Sequence, residues 1–284
     1  MHTSLSTAFV LLMTGCLSAC QPAGDSVAPV ASPSATPAVS YRLIRTQTNH
    51  PIPTTVDYSY SPAGWLATSR SAPDADGIWK QQAPTMQYSY DGGRQLTGTE
   101  GTIVYRDAAG NETSRVRSHY GLFTNRSGRP AAYRLFVNAG SQPERLFEER
   151  QYEHDAAGRV SEETYVHYDE SPTIGPLKTR YLISYTGDDV TAIDMTMTTQ
   201  GRLVSTTRTV FEYDDKANPY YGLAVPELLP QQRYSWHNVT KQTITAGTSP
   251  ANVLTYKLTY ADNGTLSRWE CSDGRYQTFA YEPF

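Results

Sequence analysis

The chain has 284 residues, with 28 Asp and Glu against 24 Lys and Arg, so it carries a formal charge of −4. Its bases are scattered and form no stripe, which argues against a nucleic-acid partner. Tyrosine is abundant, 21 against 7 Phe. Tyr suits a strand whose ring packs on its neighbours while its hydroxyl reaches water, so a wide sheet over a thin core is expected.

Residues 1–19 read as an export signal. Ala8–Met13 is an apolar core too short to span a bilayer, and small residues follow it. Leu17-Ser18-Ala19-Cys20 resembles the lipobox of bacterial lipoproteins. That resemblance implies cleavage before Cys20 and a lipid on its thiol. Met13-Thr14-Gly15-Cys16 is a poorer match, with Met in place of the commoner Leu. Residues 20–40 are rich in Pro, Ala and Ser and cannot bury a core, so they are expected to form an extended linker. Once Cys16 leaves with the signal and Cys20 is lipidated, Cys271 is the one free thiol. It reads as a half-buried strand residue.

Residues 41–284 read as one β-rich domain. Tyr58-Ser-Tyr-Ser-Pro-Ala-Gly64, Tyr88-Ser-Tyr-Asp-Gly-Gly93, Tyr105-Arg-Asp-Ala-Ala-Gly110 and Leu258-Thr-Tyr-Ala-Asp-Asn-Gly264 each end a Tyr/Thr/Val run in a polar turn containing glycine. The fullest version spans Gln151 to Tyr168, two extended arms around Asp155-Ala-Ala-Gly158. Asp at the first turn position bonds to backbone N–H groups further on, and Gly accepts the positive φ that closes the loop. Such a loop joins antiparallel neighbours. Within the arms Leu254, Tyr256, Leu258 and Tyr260 alternate with polar residues, as do Ile193, Met195 and Met197. The fold class is therefore all-β: about fifteen antiparallel strands in meandering hairpins, forming a twisted, curled sheet or open barrel. Asp214–Pro230 breaks the strand rhythm with three prolines, and reads either as a structural plug covering a sheet end or edge or as a binding loop.

Catalytic signals are sparse. His50, His119, His154, His167 and His237 lack metal-ligand spacing, so no metal is expected, and no nucleotide or cofactor fingerprint is present. Asp74-Ala-Asp76-Gly77 starts like a calcium loop, but Thr85 stands where its Glu belongs, and a plain turn is expected. The acid pairs Glu162-Glu163, Asp188-Asp189 and Asp214-Asp215 place neighbours on opposite strand faces, so no pair converges on one bond by itself. Trp65, Trp79, Trp236 and Trp269 offer either core rings or a sugar-stacking platform; the platform requires two exposed, coplanar rings on one face. No ligand-binding residue is singled out.

Tyr90-Asp91, His154-Asp155 with Gly158-Arg159, Tyr213-Asp214 and Tyr260 with Gly264 resemble the YD-repeat family, which includes the Rhs-type shell proteins. Only Gly158-Arg159-Val160 and Gly201-Arg202-Leu203 approach the second half of the regular repeat, so the likeness is to a degenerate relative. The segment 211–223, Asn238-Val-Thr-Lys241 and the repeat 256–264 resemble a group of bacterial lipoproteins carrying a domain of unknown function. These resemblances imply a β-rich lipoprotein of the bacterial cell envelope, anchored at the outer membrane and facing the periplasm or the surface. The expected role is non-catalytic, binding a glycan or envelope polymer or scaffolding a partner protein. The alternative is a hydrolase acting on envelope polysaccharide.

Overall fold

A computed structural model of the chain describes residues 40–49, 54–73, 85–91, 96–106, 111–125, 129–139, 143–168, 175–221, 223 and 228–284. Val39–Phe284 forms one compact unit. Its strands are β1 (Tyr41–Thr48), β2 (Thr54–Tyr60), β3 (Leu66–Pro73), β4 (Thr85–Tyr90), β5 (Leu96–Arg106), β6 (Glu112–Thr124), β7 (Pro130–Ala139) and β8 (Arg145–His154). They continue as β9 (Val160–His167), β10 (Leu177–Thr186), β11 (Asp189–Thr199), β12 (Arg202–Ala217), β13 (His237–Ala246), β14 (Asn252–Tyr260), β15 (Leu266–Cys271) and β16 (Tyr276–Pro283). One short helix, α1 (Pro230–Tyr234), interrupts the meander between β12 and β13.

Every strand pairs antiparallel with its sequence neighbours, and β1 pairs with β16 from Tyr41↔Pro283 to Thr48↔Gln277. The all-β meander expected from the sequence is thus observed, but closed rather than open. Closure removes the exposed edges that an open sheet must protect.

The repeats set the register. At the Asp155 turn the Gly158 N–H donates to the Asp155 carbonyl and the Arg159 N–H to Asp155 Oδ1, with Gly158 at φ 89°. The same backbone pattern closes Ser61–Gly64 and Ala261–Gly264. Each turn adds a bulge, and each pairs the residue before it with the one six positions on: Tyr60↔Leu66, Tyr90↔Leu96, His154↔Val160 and Tyr260↔Leu266. A type I turn followed by a left-handed residue has this effect. Leu66 and Leu266 are buried in one core cluster, and Tyr60, Tyr90, Leu96 and Tyr260 pack against it. The turns after Tyr88-Ser-Tyr90 and Tyr105-Arg106 lie outside the described residues.

The two faces of the wall differ sharply. Outward positions carry cross-strand ion pairs around the circumference: Arg42–Glu282, Arg45–Asp57, Arg134–Glu149, Arg208–Asp194 and Lys241–Glu212. Arg180 adds a two-pronged bond to Glu162. Glu149 is buried at 8% exposure; the other pairs are partly exposed and contribute roughly 0–1 kcal/mol each, so they mark a water-facing surface more than they hold the fold.

Inward positions form two apolar clusters. One unites Leu43, Tyr58, Leu66, Tyr88, Tyr220, Leu266 and Phe279; the other unites Ile183, Val190, Ile193 and Phe211. The tyrosine expectation needs correction here, because many hydroxyls bond inside the protein. Those of Tyr60, Tyr185, Tyr213 and Tyr281 donate to the carbonyls of Leu43, Val160, Val190 and Leu266. Burial raises the pKa of all four, that of Tyr60 to about 12. Ring and hydroxyl together let a wide barrel fill its interior while these four hydroxyls stay paired.

Candidate functional site

Sixteen strands enclose more space than wall side chains fill. The break between β12 and β13 supplies the rest by turning into the barrel. It serves as an internal plug, the structural one of the two readings of this segment.

Asn218 ties the two ends of this plug together. Its Nδ2 donates to the carbonyls of Gln232 and Ser235, its N–H to that of Trp236, and its Oδ1 accepts from the Tyr220 N–H. Tyr220 enters the first core cluster against Phe279, and its hydroxyl accepts from Gln277 Nε2 at 2.6 Å. Tyr234 packs against the second cluster. Pro230 at the first turn suits a helix start, and Gln232 Oε1 accepts from the Leu229 N–H.

The plug is pinned by charge to the wall at β8 and β9. Glu163 is fully buried and accepts from Arg150 on β8 at 2.7 Å and from Arg233 on α1 at 2.8 Å. The Tyr234 hydroxyl reaches the same carboxylate at 3.4 Å. Burial alone would lower the Arg233 pKa, but the charges of Tyr234, Glu163 and Tyr152 raise it, so Arg233 stays a cation. The Nε atoms of both arginines are buried and unpaired, so Glu163 is their one described carboxylate counter-ion.

A second node sits at the plug's root. Asp214 accepts from the Tyr260 hydroxyl and from the Asn238 N–H, and Asn238 Nδ2 donates to the carbonyls of Lys216 and Ala217. The three segments carrying the lipoprotein resemblance meet at this point.

Between plug and wall lies a cavity of about 700 Å³. Its floor is β1–β4 and β13–β16, with Tyr58, Leu266, Trp269 and Phe279 among its apolar lining. Gln231 and Gln232 from α1, Gln242 from β13 and Gln277 from β16 add amides, and His237 and Arg275 add basic groups. His237 Nδ1 is held by Asp189 at 2.7 Å and Arg275 by Asp273 at 2.6 Å. Asp273 is held below the usual carboxylate range, chiefly by its bond from Arg275. Aromatic surface interleaved with amides suits a ligand carrying both apolar faces and hydroxyl or amide groups.

The acid pairs split as their strand positions require. Glu162 faces out to Arg180 while Glu163 faces in, and Asp214 joins the root node while Asp215 is exposed beside Lys216. His119 pairs with Glu144 at 2.9 Å, whereas His154 and His167 lie far apart along their hairpin. Among the described residues no cluster of three His, Cys, Asp or Glu residues forms a metal site. Cys271 is buried at 6% exposure, deeper than expected.

The tryptophans do not build the flat platform. Trp236 is exposed at the plug's end, but Tyr221 meets it edge-on at 70°, so the two rings are not coplanar. Trp65 packs on Tyr90, and Trp269 lines the cavity with its Nε1 donating to Gln277. Trp79, the Asp74–Gly77 loop and Cys20, with the whole of residues 1–39, lie outside the described residues. Arg233, Gln231 and Gln242 carry no signal in the sequence, and Glu163 stands out there only as half of an acid pair. The one signal was parity, which puts Glu163 on the same face as Tyr165 in an inward-facing arm.

No family model and no curated protein matches the chain. Among solved structures, a porin-like protein from Bacteroides uniformis ATCC 8492 aligns at 12% identity, over 84% of this chain and 96% of its own, with a TM-score of 0.46. A Photorhabdus luminescens Tc holotoxin pore aligns at 11% identity over 81% of this chain and 14% of its own, with a TM-score of 0.17. Both scores fall below one half, and neither likeness carries weight about what this chain does.

Proposed function

We propose that the protein is a non-catalytic binding module of the bacterial envelope, tethered by a lipid on Cys20, which holds its ligand inside the barrel. The observation that carries this reading is the inversion of the wall: charged and paired outside, aromatic and amide-bearing inside around a cavity. A pore through a bilayer needs the opposite arrangement, an apolar outer band about 25 Å tall. Arg180, Arg208 and Arg134 occupy interior positions of their strands, where lipid exposure would cost roughly 2–4 kcal/mol each. The barrel therefore stands in water, and attachment to a membrane falls to the lipid and the linker of residues 20–40.

The test is a thermal-shift screen of soluble residues 21–284 against peptidoglycan fragments, neutral oligosaccharides and fatty acids. A ligand at a hundred times its Kd stabilises by about 2.7 kcal/mol, which for a domain of this size raises Tm by roughly 5–11 °C. Ser71→Trp places a large ring in the cavity and should abolish the shift. Trp236→Ala, at the exposed end of the plug, should leave it intact. Loss of binding in Trp236→Ala with survival in Ser71→Trp would move the site to the surface and sink the reading. The tether is tested separately: Cys20→Ser should release the protein from the membrane fraction and abolish labelling by a radioactive fatty acid.

A further inference from the structure

Gln231 is only 8% exposed and lines the cavity; among the described residues no hydrogen bond engages its side-chain amide, which is not among the buried unpaired atoms and so opens on the cavity space. It stands one residue after the helix-starting Pro230, on a plug fastened by Asn218 and Arg233, so it is held in place. Gln242 faces the same space from β13, also with no described side-chain bond. Tyr58 and Trp269 line the same cavity. Each amide offers two donors and one acceptor, a set that matches adjacent hydroxyls, each of which both donates and accepts. An acyl chain would fill the volume yet leave both amides unsatisfied.

We propose that this cavity takes a neutral oligosaccharide, with Gln231 and Gln242 pairing its hydroxyls and Trp269 receiving a sugar-ring face. The inference rests on the cavity reading given under Proposed function and names the ligand class for that site. Volume agrees, since about 700 Å³ lies within the usual range for small-ligand sites. Gln231 acts as a specificity group: a site built to bond a hydroxyl discriminates strongly against ligands that lack one.

The test is calorimetric titration of residues 21–284 with cellotriose, maltotriose, the trimer of N-acetylglucosamine, and palmitate. Saturable binding of at least one saccharide is expected, and the arm that responds separates plain glucans from amino-sugar polymers of the cell wall. Gln231→Met keeps the length of the side chain and removes its amide. Saccharide affinity should fall at least about tenfold, while the ligand-free Tm holds because no described hydrogen bond is lost. A clear loss of ligand-free Tm in Gln231→Met would overturn the assignment of an unpaired recognition group. Unchanged saccharide affinity in that variant would overturn its role. Palmitate binding blocked by Ser71→Trp, with every saccharide silent, would refute the glycan class and leave the cavity reading standing. Silence of all four ligands would refute both.

Discussion

The plug's attachment gives the sharpest energetic test. Glu163→Gln preserves shape but removes the one described negative charge between two buried guanidiniums, whose side chains are 19% and 10% exposed for Arg150 and Arg233. Removing one partner of a buried pair typically costs about 3–5 kcal/mol, because the remaining charge loses its counter-ion. Here two cations share it, and the Nε of each has no other partner, so the upper half of that range is expected. Against a total stability of roughly 5–15 kcal/mol, this is a large fraction. With a urea slope near 3 kcal/mol/M, at the upper end for small domains, the midpoint should drop by about 1.3–1.7 M. The assay is urea unfolding followed by tryptophan fluorescence and circular dichroism. A double-mutant cycle then adds Arg233→Met to Glu163→Gln. The second change should relieve part of the first, giving a coupling of roughly 0.5–3 kcal/mol. A cost under about 1 kcal/mol for Glu163→Gln, or strict additivity with Arg233→Met, would show that this ion pair does not hold the plug.

Other expectations follow from packing and titration. Leu266 is 3% exposed within the first core cluster, so Leu266→Ala should lose about 2–5 kcal/mol. Leu203→Ala, at a 64% exposed site, should change stability by under about 0.5 kcal/mol, and thermal melts of the two variants compare them directly. The Asp155 carboxyl is held below its usual 3.8, first by the Arg159 backbone N–H and then by the Arg159 guanidinium. A lowered folded-state pKa means stability that is present above about pH 4 and lost as pH falls through the folded value. Carbon-detected NMR titration should therefore place Asp155 below 3.8, and Asp155→Asn should flatten part of the acid limb of stability. A midpoint at or above 3.8 would contradict the turn's role.

Local features of the fold were legible because their causes are local. The polar turn with glycine dictates a hairpin and its bulge within a few residues, so Asp155–Gly158 and Ala261–Gly264 were readable from the chain alone. Strand parity likewise separated Glu162 from Glu163. Closure was not legible: β1 and β16 are some 240 residues apart, as the Arg42–Glu282 bond shows, and nothing in either strand names its partner. The plug was visible as a break in rhythm, but its direction depended on Arg233 meeting Glu163, 70 residues away. The cavity residues escaped for the same reason. Gln231 and Gln242 look like ordinary polar positions until the helix between β12 and β13 is placed inside the barrel. The tyrosines misled in one respect, since their hydroxyls suggested a wet surface where they satisfy backbone carbonyls within the interior.

The most direct measurement is sedimentation velocity of residues 21–284 in detergent-free buffer, with near-ultraviolet circular dichroism on the same sample. A monodisperse species with a fixed tertiary signal, unchanged on adding phospholipid vesicles and absent from the vesicle pellet, is expected for a barrel whose outer wall faces water. Aggregation without detergent, or a tertiary signal that forms only with vesicles, would contradict the water-facing wall and with it the binding module built inside.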